Sequence, residues 1–108
     1  GTILVPSDDA APASSPANST VITHRPEASC FEAAFDEGLA VCAYRRQGNL
    51  LLVTHTEVPP RLEGRGIAAA LVKATLDWAR AEGLRVRPLC SYVAAYMRRH
   101  PQTQDLLA

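Results

Sequence analysis

The stretch "RLEGRGIAAALVKATLDWAR", from Arg61 to Arg80, sets two glycines and two arginines directly ahead of an alanine-rich helical pattern. A helix N-terminus carries unpaired N–H groups and the positive end of the macrodipole. Gly64 and Gly66 allow backbone to close around a ligand with no Cβ in the way. Together these features make a phosphate-type anion site. A Walker loop is excluded, because no Gly-Lys-Ser/Thr follows. A dinucleotide fingerprint is excluded too: Ala69 stands where the third glycine belongs, and no acidic residue ends the next strand to hold a ribose.

Other side chains could do chemistry near that loop. His55 and Glu57 stand two apart on a predicted strand, hence on one face, as a general-base pair or as a solvated polar edge. Cys90 falls where a strand ends and a helix begins, a place that favours a thiolate; a plain buried thiol is the alternative. Arg98, Arg99 and His100 end that helix, where they complement its dipole or meet nucleotide phosphates. His24, His55 and His100 are scattered, and Cys30, Cys42 and Cys90 are an odd number with no CxxC spacing. Neither a metal site nor a disulfide framework is expected, and reduced thiols point to a cytoplasmic protein.

The elements that must position these residues follow from the pattern. The chain has 108 residues, enough for one domain. Residues 1–19 are rich in Pro, Ser, Ala and Asp without hydrophobic period and read as a flexible leader, leaving the domain at 20–108. "TVITHR" predicts a first strand. "SCFEAAF", "LAVCAYRR" and "LLLVTHTEV", joined by "DEG" and "QGN", predict an antiparallel meander with Phe31, Ala33 and Phe35 on one face. Pro59 and Pro60 end its last strand.

A helix starts near Gly66, with Lys73, Asp77 and Arg80 on one polar stripe, and Gly83 stops it. "LRVRPL" then predicts a parallel strand, and "SYVAAYMRR" a second helix closed by Pro101. The order β-β-β-β-α-β-α is a mixed α/β, or α+β, sandwich. Eleven basic against eleven acidic residues give no electrostatic support for coating nucleic acid. No apolar run approaches the ~20 residues of a membrane span.

"RLEGRGIA" fits the Arg/Gln-x-x-Gly-x-Gly/Ala motif, and with "HTEVPPRLEGRGIAAALV" and "PLCSYVAAYMRRHP" the chain resembles the GNAT superfamily of acyl-CoA-dependent N-acetyltransferases, in its small YjdJ-type subgroup. The resemblance implies a GNAT-like fold, an antiparallel meander followed by β-α-β-α, with acetyl-CoA between two splayed parallel strands. It implies a pyrophosphate loop of Arg61, Leu62, Glu63, Gly64, Arg65 and Gly66, continued at Ile67, and a pantetheine arm along Thr56, Glu57 and Val58, with a backbone N–H polarising the thioester. Arg99 would meet the coenzyme's phosphates. Glu57 then fits the superfamily's water-linked base, with His55 as rival. Tyr96 takes the leaving-group position, or exchanges parts with Tyr92 one turn earlier. "YMRRHP" departs there from the usual tyrosine-to-Gly-Phe ending. Cys90 would line the acyl end of the cofactor site or carry the acyl group.

The resemblance thus implies acetyl transfer to a primary amine, on a small molecule or a protein lysine, by a monomer or weak dimer. The alternative is a non-catalytic acyl-CoA-binding or interaction module on the same fold.

Overall fold

The computed structural model describes residues 2–6 and 19–108, with side chains from Thr20 onward. Strands β1 (Thr2–Pro6), β2 (Ser19–Arg25), β3 (Cys30–Phe35), β4 (Gly38–Gln47) and β5 (Leu50–Glu57) are followed by helix α1 (Ile67–Ala81), strand β6 (Arg85–Pro88) and helix α2 (Ser91–Arg99). Short 3-10 turns occupy Pro26–Ala28, Pro60–Leu62 and Pro101–Leu106. The strands form one six-stranded sheet in chain order, antiparallel from β1 to β5 and parallel between β5 and β6. This is the mixed α+β order that the pattern predicts.

Two departures stand out. Thr2–Pro6 pairs with β2 from Thr2↔Thr23 to Pro6↔Ser19, so the expected leader includes a strand. "TILVP" has the composition of a strand, but the Pro/Ser/Ala/Asp-rich residues after it mask the signal. The rest of that expected leader, residues 7–18, lies outside the described residues. Pro101 ends α2 as expected but also starts a 3-10 turn, because proline at a first helical position gives up an N–H that has no partner there anyway.

The core lies on one face of the sheet. Ile22, Phe31, Ala33, Ala40, Cys42, Leu51 and Val53 alternate inward and pack under α1, while Val93, Tyr96 and Met97 of α2 join the same cluster. Helix α1 buries most of its apolar side chains and carries its charges on the Lys73–Asp77–Arg80 stripe, where Lys73 pairs with Asp77 at 3.0 Å. Its end is a Schellman motif: Gly83, at φ +71°, donates to the Arg80 carbonyl and Leu84 to the Ala79 carbonyl. The opposite face of the sheet carries no helix among the described residues, a habit antiparallel sheets tolerate.

At the far end of the core His24 stacks on Phe31, with ring centroids 4.1 Å apart, and its Nε2 lies 2.6 Å from the Tyr44 hydroxyl. Burial lowers its pKa from the usual 6.5, more than Glu27 and Glu82 raise it. Folding therefore favours the neutral ring. That contribution is complete above about pH 6.5 and is lost as pH falls from there through the folded-state pKa. Tm should drop between pH 7.5 and 5, and His24→Phe, which keeps the stack, should flatten the decline. Equal slopes in both proteins would exclude His24 as its source.

Candidate functional site

The meander contains one irregularity, and it decides what faces the site. The β4–β5 register runs Tyr44↔Val53 and then Ala43↔His55, so Thr54 is an extra residue, a bulge. Without it His55 and Glu57 would share the inner face with Val53. With it, Thr56 pairs beside the buried Cys42 on the inner face, and His55 and Glu57 turn to the open one. They remain partners there, with Nε2 and Oε1 3.9 Å apart and both side chains more than half exposed.

Beyond the bulge, β5 and β6 separate. Their parallel pairing ends at Val53↔Pro88. The Val53 carbonyl accepts from both Leu89 and Cys90, at 3.0 and 3.1 Å, and the chain turns away into α2. Strand β5 continues alone on that side to Glu57. The splay expected between the two strands is therefore present.

Pro59 and Pro60 then end β5 and start a 3-10 turn, in which Leu62 N–H donates to the Pro59 carbonyl at 2.8 Å. Leu62 is buried and pins the loop to the core. Gly64 and Gly66 both take left-handed backbone, φ +81° and +79°, which side-chain-bearing residues resist. Gly66 is the N-cap of α1 and supplies no side chain, so the helix start stays open to an outside acceptor.

These elements enclose a cavity of about 480 Å³. Thr56 and Val58 of the β5 end, with Leu62, Glu63, Gly64 and Gly66 of the loop, form one side. Ile67 and Ala68 of α1 and Tyr92 and Arg99 of α2 form the other. Arg61 and Arg65 are exposed on the same loop and add positive charge beside it. Ala68 was not foreseen; its signal is its place in the first turn of α1, where N–H groups lack intrahelical partners.

Tyr92 and Tyr96 divide their tasks in a way spacing could not show. Tyr92 lines this cavity. Tyr96 is 2% exposed in the core, and its ring stacks on His100 at 3.8 Å. It lines a second cavity, of about 660 Å³, toward Pro101–Leu106. The leaving-group position expected for Tyr96 thus falls on a ring buried in the core, while Tyr92 and Arg99 of the same helix line the cavity. The second cavity is larger but chemically quiet: its rim charges are paired as Lys73–Asp77 and Arg80–Asp105.

Cys90 is the N-cap of α2, next to the splay, and its Sγ lies 3.6 Å from the Thr56 hydroxyl. Partial burial pushes the thiol up. The Thr56 hydroxyl and the backbone N–H groups of Val93, Tyr92 and Thr56 outweigh that and hold it below its usual value. Cys42, on the other side of Thr56, is buried and pushed up to about 11, chiefly by desolvation and despite the Thr75 and Thr56 hydroxyls. Cys30 is partly exposed on the open face of the sheet, beside Ala43. All three cysteines are free thiols. Among the described residues no cluster of His, Cys, Asp or Glu could hold a metal.

Comparison with known proteins bears on this geometry. A family model described as GCN5-related N-acetyl-transferase matches residues 30–106. The chain is 40% identical over 68 residues to Protein NATD1 of Homo sapiens and of Gallus gallus, and 35% identical to that of Danio rerio. The match takes in 62% of this chain and only 60–62% of those relatives. In three dimensions the fold resembles the NMR solution structure of a GCN5-like protein from Staphylococcus aureus, with a TM-score of 0.66 and 28% identity. That likeness covers 81% of this chain and 86% of the other.

Proposed function

The chain belongs to the GCN5-related N-acetyltransferase family, and on that premise we propose that it moves an acetyl group from acetyl-CoA to a primary amine. One observation carries this reading: β5 and β6 stop pairing at Val53 and Pro88 beside a cavity that reaches the glycine loop. The residues present suit the coenzyme. The start of α1 has no side-chain cap, two glycines bring the backbone close, and Arg99 lines the cavity. The backbone of Thr56–Val58, free of β6, would hold the pantetheine arm, and Arg61 and Arg65 would offset phosphate charge.

Bound there, acetyl-CoA supplies a thioester. Transfer forms an amide C–N bond, breaks the C–S bond and moves one proton from the amine to the departing thiolate. Glu57 or His55 takes the amine's proton from the open face. Tyr92, lining the cavity, is better placed than Tyr96 to return one to sulfur. The Thr56 N–H, on the strand end beside Cys90, can serve the thioester oxygen or a Cys90 thiolate. Three free thiols support a reducing, cytoplasmic setting.

Thiol release from acetyl-CoA over a panel of amines, run beside a coenzyme titration, tests the reading. Turnover is expected. Tight binding with no turnover on any amine would instead select an acyl-CoA-binding module. Within the active protein, Glu57→Gln or His55→Ala should lower turnover by about 10²–10⁴-fold with coenzyme affinity little changed. Full activity in both variants would assign deprotonation to solvent.

A further inference from the structure

The open face of the sheet raises its own question, since the base candidates sit on it. Cross-strand register places Arg45, Leu52 and Arg87 in one row there, on β4, β5 and β6. Two strand spacings separate the arginines, about 10 Å. The next row along β5, about 7 Å away, is Ala43 and His55, followed by Val41 and Glu57. Neither Arg45 nor Arg87 makes an ion pair or side-chain hydrogen bond among the described residues. The other charges on this face are engaged: Arg25 with Glu32 at 2.6 Å, His55 with Glu57, and Arg85 with the Leu107 carbonyl. Exposed apolar side chains also lie on this face, Val21 (56%) and Leu39 (45%) beyond the Glu57 row, and Leu89 (58%) stands at the mouth of the splay.

We propose that this face docks the acceptor, and that the acceptor is a protein segment whose reactive lysine is flanked by acidic side chains. The inference rests on the transferase reading above. Flatness argues for a macromolecule: small amines are gripped in concave sites, and His55 and Glu57 stand on an open sheet. Charge argues for acidic flanks. Two uncompensated guanidiniums, one row from His55 and two from Glu57, repel a bare polyamine and attract carboxylates several bonds from the reacting nitrogen. The same positive field favours loss of the lysine's proton.

The test uses the full chain, saturating acetyl-CoA and thiol release. Its acceptors are three equal-length peptides with a single lysine flanked by aspartates, serines or arginines, with spermidine beside them. The acidic peptide should react about 10-fold faster than the serine peptide at low salt, and the ratio should shrink as salt rises. In Arg45→Glu/Arg87→Glu the order should invert toward the arginine peptide. The coenzyme-induced rise in Tm, which reports fold and loop, should persist. Equal rates on the three peptides, an unchanged order in the charge-reversed protein, or turnover confined to spermidine would overturn the acidic-acceptor assignment and leave the transferase standing. Coenzyme binding without turnover on any acceptor would remove both.

Discussion

Gly66→Val is expected to abolish the rise in Tm that coenzyme A produces while the apo protein still folds. A ligand at 100 times its Kd stabilises by about 2.7 kcal/mol, and for a domain of this size each kcal/mol moves Tm by about 4–8 °C. The wild-type shift should therefore be large and easy to read. Gly66 is held at φ +79° as the N-cap of α1 and lines the cavity, so a β-branched residue there must both strain the backbone and stand where the ligand approaches. Strain of that kind costs about 1–3 kcal/mol, which lowers the apo Tm without emptying the folded state. Gly64→Ala is the companion measurement. Gly64 has φ +81°, but an added Cβ meets nothing within 4 Å, so the variant carries strain with little obstruction. It should keep part of the shift. A Gly66→Val protein that still gains the full shift would place the anion site elsewhere.

The contrast between these glycines also marks what local pattern can convey. The loop was legible because positive φ, uncapped helix start and adjacent arginines are all written within a few residues of Gly64 and Gly66. The inner face of β3 was equally legible, since Phe31, Ala33 and Phe35 repeat with the strand's own period. So was the end of α1, where Gly83 closes a Schellman motif. The orientation of the catalytic candidates was not. His55 and Glu57 share a face, as their spacing requires, but which face depends on the bulge at Thr54. Threonine is an ordinary strand residue and gives no local sign of it. The choice between Tyr92 and Tyr96 failed to show for a similar reason. Positions four apart lie on one stripe of a helix, and only the docking of α2 decides which of the two rings lines the cavity. Strand β1 depends on pairing with β2 across residues 7–18, a non-local contact that composition conceals.

Cys90 should be the most readily alkylated of the three thiols, and bound coenzyme A should protect it. Reactivity follows the thiolate, and against the upward push of partial burial the Thr56 hydroxyl, 3.6 Å from Sγ, and the nearby backbone of Val93, Tyr92 and Thr56 hold this thiol below its usual pKa. Cys42 is buried with its pKa pushed up to about 11. Cys30 is raised first by desolvation and then by Glu32 and Glu27, against Arg25. Iodoacetamide labelling followed by peptide mass analysis should therefore rank Cys90 first. Its rate should level off at a lower pH than that of a free thiol, because the folded site favours the ionised form. Two roles remain for a thiolate beside the splay, and they separate cleanly. If Cys90 accepts the acetyl group, a thioester forms on its Sγ as the coenzyme leaves as a thiol. Intact mass would then gain one acetyl group, and Cys90→Ala would lose about as much activity as the loss of a nucleophile elsewhere, roughly 10⁴-fold or more. If it lines the pocket, no adduct forms, and Cys90→Ala keeps most of its turnover, since Thr56 N–H then has the thioester oxygen as its only partner. Attack by the amine needs no protein nucleophile when a thioester is already supplied, so the second outcome is the expected one. Labelling of Cys90 no faster than Cys30, and indifferent to coenzyme A, would exclude both roles.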